Sequence, residues 1–140
     1  MVTMPALLSA ALLLLLLPGT LTRIYNSELE FSPIDLVVEN SLENTPRMTY
    51  STQVAYRGIL LGAMERLKAS NTNFTFNYTM NENYGPYLES VNGVAGNDTD
   101  HTYWELLVKT HDGKIIRPDV GIGCYIPRTN EEIILKFTKW

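Results

Sequence analysis

The residues of this sequence that could bind a metal do not form a recognisable set. His101 and His111 lie ten residues apart, with no HExxH spacing and no cysteine cluster, so they give no zinc motif. Asp98, Asp100 and Asp112 lack the long loop ending in a bidentate glutamate that calcium sites use, and aspartates beside Asn and Gly usually form turns. The sequence therefore predicts no metal site.

Nucleophilic catalysis has no better support. Cys124 is the only cysteine and has no local basic partner, and the fragment Gly121-Ile122-Gly123 is too short to cradle a phosphate. We therefore predict that the protein is not an enzyme. A single cysteine excludes an intramolecular disulfide, and its apolar neighbours favour a buried, inert thiol, with an intermolecular disulfide as the alternative.

The sequence does offer a set of aromatic and apolar residues near predicted turns. Its members are Tyr84, Tyr87, Tyr103, Trp104, Leu106, Leu107 and Tyr125. These side chains are typical of core and rim packing. They are equally typical of a surface for a flat, largely apolar ligand or a protein partner. Composition does not decide between the two interpretations.

The N-terminus has the pattern of a secretory signal peptide. Residues 6–17 are almost wholly apolar and are followed by Pro18 and Gly19, whereas a membrane-spanning helix needs about 20 apolar residues. We therefore predict a signal peptide over residues 1–22, an N-terminal arm over residues 23–33 and one folded domain over residues 34–140. The mature protein is expected to be extracellular and free of the membrane after cleavage, with an uncleaved signal anchor as the alternative.

Three acceptor sequons support secretion, because glycosylation at Asn-x-Thr takes place in the secretory pathway. They begin at Asn73, Asn77 and Asn97, and none contains a blocking proline. The formal net charge is −4 and the basic residues are scattered, so nucleic acid is not an expected partner.

The hydrophobic periodicity predicts an α+β domain, in which one amphipathic helix packs on a small mixed sheet of about six short strands. The helix is indicated by Ile59, Leu60, Ala63, Met64 and Leu67, and it should end near Ser70. The strand signals are at residues 34–38, 48–54, 74–80, 102–108, 115–116 and 133–137, with turns at residues 84–87 and 92–93. In the strand at residues 74–80, alternation places Asn73 and Asn77 on the polar face, where a glycan can be accommodated.

Several blocks together resemble the C-terminal β domain of the cobalamin carriers transcobalamin and intrinsic factor. They are residues 73–78, 85–87, 90–93, 102–107, 121–127 and 133–140. The order and approximate spacing agree, and the resemblance extends over about residues 34–140.

The resemblance implies noncovalent carriage of cobalamin outside cells, with cobalamin as a carried ligand and no catalytic residue. By motif position it assigns ligand-facing roles to two groups, namely Tyr84, Gly85, Pro86 and Tyr87, and Tyr103, Trp104, Glu105 and Leu106. Among these, Tyr84 and Trp104 are expected to offer apolar contact to the corrin, while nearby backbone groups bind its amide side chains.

The same family encloses its ligand between this domain and a helical barrel, and the 140 residues contain no pattern of such a barrel. Removing half of a split site lowers affinity steeply, because the remaining half still bears the entropy of association. We therefore expect weak binding by the domain alone, and either self-association or a barrel-bearing partner. The alternative function is a secreted protein-interaction module that kept the fold and lost cobalamin.

Overall fold

The computed structural model describes residues 30–140, and residues 31–140 form one compact unit. The predicted signal peptide, and the predicted arm up to residue 29, lie outside the described residues. No helix within residues 30–140 is both long enough and apolar enough to cross a membrane.

The unit contains eight strands and one helix among the described residues. In chain order they are β1 (Phe31–Asn40), β2 (Met48–Ala55), α1 (Leu60–Ser70), β3 (Phe76–Asn81), β4 (Gly85–Val91), β5 (Val94–Ala95), β6 (Thr102–Lys109), β7 (Ile115–Ile116) and β8 (Glu132–Lys139). A five-stranded sheet has the order β2-β1-β8-β6-β7, and a three-stranded sheet has the order β3-β4-β5. The pairing of β1 with β8 is parallel and the other pairs are antiparallel, so the larger sheet is mixed.

The core lies on one face of the five-stranded sheet. Ile34, Leu36 and Val38 of β1 are buried there, as their alternation predicts, and Ile133 and Leu135 of β8 lie beside them. The helix covers this face with the four side chains that recur at helical spacing, which are Leu60, Ala63, Met64 and Leu67. Burial of a leucine or methionine side chain stabilises a fold by about 1.5–3 kcal/mol. The α+β class, the mixed sheet and the end of the helix at Ser70 are therefore confirmed, whereas Ile59, predicted on the buried face of the helix, precedes it and is exposed.

The strand count and the single sheet need correction. Eight strands form two sheets, whereas the sequence predicted about six strands in one. Strand β4 begins at Gly85, inside the turn that was predicted at residues 84–87. Val94–Ala95 forms an additional two-residue strand after the Asn92-Gly93 turn. Both Asn92 and Gly93 have positive φ, which suits a tight two-residue hairpin.

β1 begins at Phe31, ahead of the predicted start at Ile34, so the last three residues of the predicted arm belong to the sheet. Pro33 fits because Asp35 donates its N–H toward β8, at the carbonyl of Glu131. Alternate residues of a strand point their N–H groups to the same side, so the missing N–H of Pro33 falls on the β8 side and removes no bond to β2.

The start of the helix depends on a distant turn. Ile59 provides no side-chain cap, and instead the amides of Leu60 and Leu61 donate to the carbonyls of Tyr125 and Ile122, at 2.8 and 2.9 Å. These amides would otherwise lack partners, as the first four of any α-helix do. We call residues 121–125 the capping turn, and it is closed by bonds from residues 124 and 125 to the carbonyl of Gly121.

The capping turn is itself held by a buried carboxylate. The Tyr125 hydroxyl donates to Glu131 at 2.6 Å, and the backbone N–H of Arg128 donates to the same oxygen at 2.8 Å. Burial and this hydrogen bond raise the pKa of Tyr125 well above its usual range, so its phenol remains a donor. Ile122 is the apolar residue that the turn buries, whereas Cys124 is exposed. The expected buried thiol is therefore wrong, because only one side of a tight turn can face the core.

Two glycine-to-alanine substitutions separate close packing from backbone entropy. A methyl group on Gly123 would lie 2.6 Å from Cγ and Cδ of Pro86, whereas one on Gly62 of the helix would meet no atom within 4 Å. We expect Gly123→Ala to destabilise the domain by about 1–3 kcal/mol. Gly62→Ala should stabilise it by about 0.5–1 kcal/mol, because alanine favours a helix interior. Urea unfolding of both variants tests this, and an unchanged midpoint for Gly123→Ala would contradict the close packing.

Candidate ligand-binding surface

The hairpin between β3 and β4 presents the most exposed aromatic residue of the predicted site. Asn81 accepts hydrogen bonds from the backbone of Asn83 and Tyr84, at 2.8 and 3.0 Å, which fixes the turn. Gly85 follows with a φ of +78°, a conformation that glycine adopts without strain. Tyr84 is 85% exposed, and Tyr87, the third residue of β4, is also exposed. The turn therefore holds Tyr84 outward on an ordered backbone.

The hairpin is anchored to the capping turn through Pro86. The ring of Pro86 packs directly over Gly123, and its carbonyl lies next to Gly121. Two of the motif blocks that are distant in sequence thus meet in space. Because the capping turn also holds the start of α1, the hairpin is fixed relative to the core, which limits the entropy that its side chains lose on binding.

A row of aromatic rings leads from the core to this hairpin. Tyr50 packs edge-on against Phe74, Phe74 against Phe76, and Phe76 stacks with Tyr78, with centroid separations of 5.2, 5.7 and 6.2 Å. Burial decreases along the row, since Phe74 and Phe76 are buried while Tyr78 is exposed, and Met80 beyond it is 70% exposed. The strand therefore carries apolar side chains out of the core onto the surface. We call the exposed side chains of Tyr78, Met80 and Tyr84 the hairpin surface, whereas Tyr87 pairs with Thr79 and faces the other side of the two strands.

The four predicted residues on β6 are divided between the two faces of the five-stranded sheet. Trp104 and Leu106 point to the core face, and Tyr103 and Glu105 to the other, because successive side chains of a strand alternate. Trp104 is only 8% exposed, its indole N–H donates to the Val94 carbonyl at 2.8 Å, and its ring packs on Phe137. Its side chain thus belongs to the core, with one edge at the surface.

On the opposite face, a buried carboxylate organises polar groups. Glu105 is buried, forms an ion pair with Arg117 and accepts a hydrogen bond from the Tyr103 hydroxyl at 3.2 Å. Trp140 packs edge-on against the ring of Tyr103 and that of His101. This arrangement connects β6 to the segment after β7 and to the end of β8.

The hairpin and the Trp104 side chain do not form one patch. The indole lies beside Val94, which pairs with Val91 at the end of β4 opposite the turn. Gly85 and Val91 are six positions apart along β4, or about 20 Å. The structure thus brings together Tyr84, Gly85, Pro86 and Tyr87, and places the β6 residues elsewhere.

The edge of Trp104 lines a surface cleft of about 280 Å³. Val38, Val91 and Val94 contribute to its walls, and Glu39 and Glu43 are among its polar residues. A larger depression of about 390 Å³ lies between β2 and the helix, but polar residues predominate there and none of the predicted site residues lines it. Among the described residues no group of three or more His, Cys, Asp or Glu could hold a metal ion.

Sequence reasoning missed four exposed aliphatic residues that flank the capping turn and form β7. They are Ile115, Ile116, Val120 and Ile126. The signal was present in the consecutive isoleucines of a strand too short to be buried on both faces. Ile115 and Ile116 are successive residues of one strand and point to opposite faces of the sheet, so the four side chains do not all lie on one surface.

The three sequon asparagines are exposed. Asn77 donates from Nδ2 to the Ser90 hydroxyl at 3.2 Å, and a glycosylated amide would retain one N–H for that bond. Asn97 accepts from the backbone N–H of Thr99 at 2.7 Å. The structure thus leaves room for a glycan at each position.

Alanine substitutions should distinguish the exposed tyrosine from the packed tryptophan. We expect Trp104→Ala to lower the free energy of unfolding by about 3–5 kcal/mol, because it removes a buried ring and its hydrogen bond. Tyr84→Ala should change it by no more than about 0.5 kcal/mol. Denaturant unfolding monitored by circular dichroism measures both. Equal losses would mean that Tyr84 supports the fold.

Comparison with known proteins identifies the domain. Residues 59–139 match the family DUF4430, described as a domain of unknown function. Human transcobalamin-1 is 33% identical over 95 residues, which is 66% of this chain and 21% of that protein. Mouse cobalamin binding intrinsic factor is 30% identical over 122 residues, or 87% of this chain and 26% of that protein. The chain thus spans about a quarter of the length of these relatives.

A solved structure has the same fold. The crystal structure of haptocorrin in complex with Cbi superposes with a TM-score of 0.67 at 22% identity, over 79% of this chain and 26% of that one. The resemblance that the motif blocks indicated is thereby confirmed. The chain belongs to the DUF4430 family, and its folded unit is a domain like the C-terminal domain of the cobalamin carriers.

Proposed function

We propose that the protein is a secreted corrinoid-binding protein that carries cobalamin noncovalently. The observation that carries the proposal is the hairpin, whose Tyr84 is exposed on a backbone held by Asn81, Gly85 and the packing of Pro86 on Gly123. The names of the relatives, transcobalamin and cobalamin binding intrinsic factor, support cobalamin as the ligand.

The hairpin surface suits the apolar part of such a ligand. Aromatic side chains offer a large contact area at a low entropic cost, and a tyrosine hydroxyl remains available for a polar substituent. No covalent step is involved, and we assign no catalytic role to any residue. Carriage needs only a binding equilibrium.

The affinity of this domain by itself is proposed to be weak. The relatives are about four to five times as long as the matched region, so this domain corresponds to one part of their structures. A single face must offset the full entropy of association with fewer contacts. A barrel-bearing partner or a second copy of the chain would supply the missing contacts.

A protein-interaction module is the second candidate. The four exposed aliphatic residues Ile115, Ile116, Val120 and Ile126 favour it, because they would lose contact with water in a complex. Under this function the domain keeps the fold and does not bind cobalamin.

Titration with cyanocobalamin tests the proposal. We expect saturable binding with a Kd in the micromolar range, about −8 kcal/mol, observed by calorimetry and by a change in the visible spectrum. Tyr84→Ala should weaken binding by about tenfold, or ~1.4 kcal/mol. Tyr56→Ala is the matched control, because Tyr56 is also exposed but lies in the turn after β2.

Two outcomes would contradict the proposal. The first is the absence of heat and of spectral change up to millimolar cobalamin, which would favour the interaction module. The second is an equal loss of affinity in the Tyr84→Ala and Tyr56→Ala variants. That result would mean that the binding site is not at the hairpin.

Secretion with glycosylation at the three sequons is part of the same proposal. In a mammalian secretory expression system, Asn73→Gln, Asn77→Gln and Asn97→Gln should each increase electrophoretic mobility by one glycan step. Asn83→Gln is the control, since Asn83 is exposed but followed by Tyr84-Gly85 and not by a sequon. Protein retained in the cells, or secreted with a mobility that glycosidase treatment does not alter, would refute this part.

A further inference from the structure

Strand β2 forms one edge of the five-stranded sheet. It pairs with β1 on one side, and within residues 30–140 no strand lies on its other side. The pairing with β1 runs from Met48 to Ala55 without a shift in register. The free edge is therefore eight residues long, whereas the opposite edge of the sheet ends in the two-residue strand β7.

The hydrogen bonds of β1 establish which backbone groups of β2 point to the free edge. The amides of Asp35 and Ser41 donate to carbonyls on the β8 side, at 3.1 and 3.0 Å, so odd-numbered residues of β1 face β8 and even-numbered residues face β2. Ile34 pairs with Thr52, and even-numbered residues of β2 thus face β1. The N–H and C=O groups that point to the free edge belong to Thr49, Ser51 and Gln53, which we call the outward residues of β2.

The outward residues have nothing in the described part of the chain that blocks them. All three are exposed, and their six backbone groups have no backbone partner within residues 30–140. Sheets usually protect a free edge with a charged residue, a proline or a bulge, because an open edge pairs with other chains. Residues 48–55 contain no charged residue and no proline. A long, regular and unprotected edge of this kind is suited to accept an added strand.

A depression of about 390 Å³ lies beside this edge, between β2 and α1. It is lined by Pro33, Ser51, Thr52, Gln53, Arg66 and Ser70. Arg66 is the only charged residue of this set, and the others offer hydroxyl, amide or apolar groups. The depression therefore presents one positive charge, without a carboxylate among its lining residues.

Arg66 is held in place without an ionic partner. Its guanidinium carbon lies 4.3 Å from the centroid of the Phe31 ring, which is a cation–π contact. The ion pairs in the described part of the chain are those of Arg47 with Glu132 and Arg117 with Glu105. The planar guanidinium matches a carboxylate through two parallel hydrogen bonds, so it would select an acidic group.

We propose that the free edge of β2 binds an extended, acidic segment of a partner protein. The segment adds a strand to the sheet through the backbone of the outward residues, and one of its carboxylates pairs with Arg66. This interaction goes beyond the carriage of cobalamin and does not depend on it.

The geometry of an added strand predicts where the carboxylate lies. Successive side chains of a strand point to opposite faces, so the residue opposite Thr52 lies on the helix side of the sheet, near Arg66. Its two neighbours point to the other face, where Ser51 donates to Asp35 at 3.2 Å. A second carboxylate there would be repelled by Asp35. The matching sequence thus has one Glu or Asp between uncharged residues of high β propensity.

A second copy of β2 fits this edge less well. Two-fold antiparallel pairing centred on Ser51 would bring two Arg66 side chains to the same face near the axis. No carboxylate lines the depression to separate them. Like charges placed together in this way oppose association, so the charge of the edge favours a different, acidic chain.

Fluorescence anisotropy with labelled peptides tests the proposal on the full chain. The probe is the end-blocked peptide Thr-Val-Thr-Glu-Thr-Val-Thr, and the control peptide has glutamine in place of the glutamate. We expect saturable binding of the glutamate peptide and about tenfold weaker binding of the glutamine peptide, because the latter loses a charged hydrogen bond.

Substitution of Arg66 tests the source of that preference. Arg66→Gln should bind both peptides with equal affinity, about tenfold weaker than the unaltered chain binds the glutamate peptide. Lys68→Gln is the matched control. Lys68 is also an exposed cation of α1, but it lies over the ring of Phe76 at 5.4 Å and does not line the depression. This variant should keep the preference for glutamate, and both variants should keep the unfolding midpoint.

Amide hydrogen exchange on the isotope-labelled full chain locates the peptide. In the free protein we expect the amides of the outward residues to exchange roughly 100-fold faster than those of Tyr50, Thr52 and Val54, which bond to β1. Saturation with the glutamate peptide should slow the outward amides about tenfold and leave the other three unchanged.

Several results would overturn the proposal. They are the absence of saturable binding, equal affinity of the unaltered chain for the two peptides, and unchanged exchange of the outward amides in the peptide complex. Slow exchange of these amides in the free protein would also overturn it. The edge would then be covered by another part of the same chain if the slow exchange is independent of concentration, or by a second copy if it is not.

Discussion

The first amides of α1 have no side-chain cap, and the carbonyls of Ile122 and Tyr125 accept their hydrogen bonds instead. This contact crosses about sixty residues of sequence, and it connects the helix to the chain between β7 and β8. Without it, a helix end would be buried with unsatisfied donors. The carboxylate of Glu131 keeps the turn in place by accepting from Tyr125 and from the backbone of Arg128. A polar network therefore decides where the helix begins on the sheet.

The same turn governs the candidate ligand surface. Gly123 leaves space for the ring of Pro86, so the position of the hairpin is determined by a residue that carries no side chain. The exposed Tyr84 is thereby connected, through Pro86 and the capping turn, to the helix and the core. Rigid support of this kind is what a binding residue on a loop requires, because flexible contacts lose part of their binding energy to ordering.

The parts of the fold that follow local periodicity could be predicted from the sequence. The alternation at Ile34, Leu36 and Val38 and the helical spacing at Leu60 and Leu67 reflect one buried face each, and both predictions are confirmed. The division into two sheets could not be predicted, because it depends on pairings between distant strands. For the same reason the aromatic set could not be sorted. Trp104 packs in the core and Tyr84 lies in solvent, although the sequence places both among the aromatic residues near predicted turns. The apolar neighbours of Cys124 predicted a buried thiol, but Ile122 occupies the buried position of the turn and Cys124 is exposed.

The parallel pairing of β1 with β8 determines when the domain can form. Leu36 lies opposite Ile133, so the chain must grow by 97 residues after Leu36 before this contact is available. At a synthesis rate of about 5–20 residues per second, this interval lasts roughly 5–20 s. Pairing between such distant residues also slows folding once the chain is complete. During this time the sequon asparagines between the two strands lie in a chain whose five-stranded sheet is incomplete, and under the proposed secretion a transferase would meet them at that stage. Under that proposal, the topology of the sheet favours modification during synthesis, before packing closes around the polypeptide.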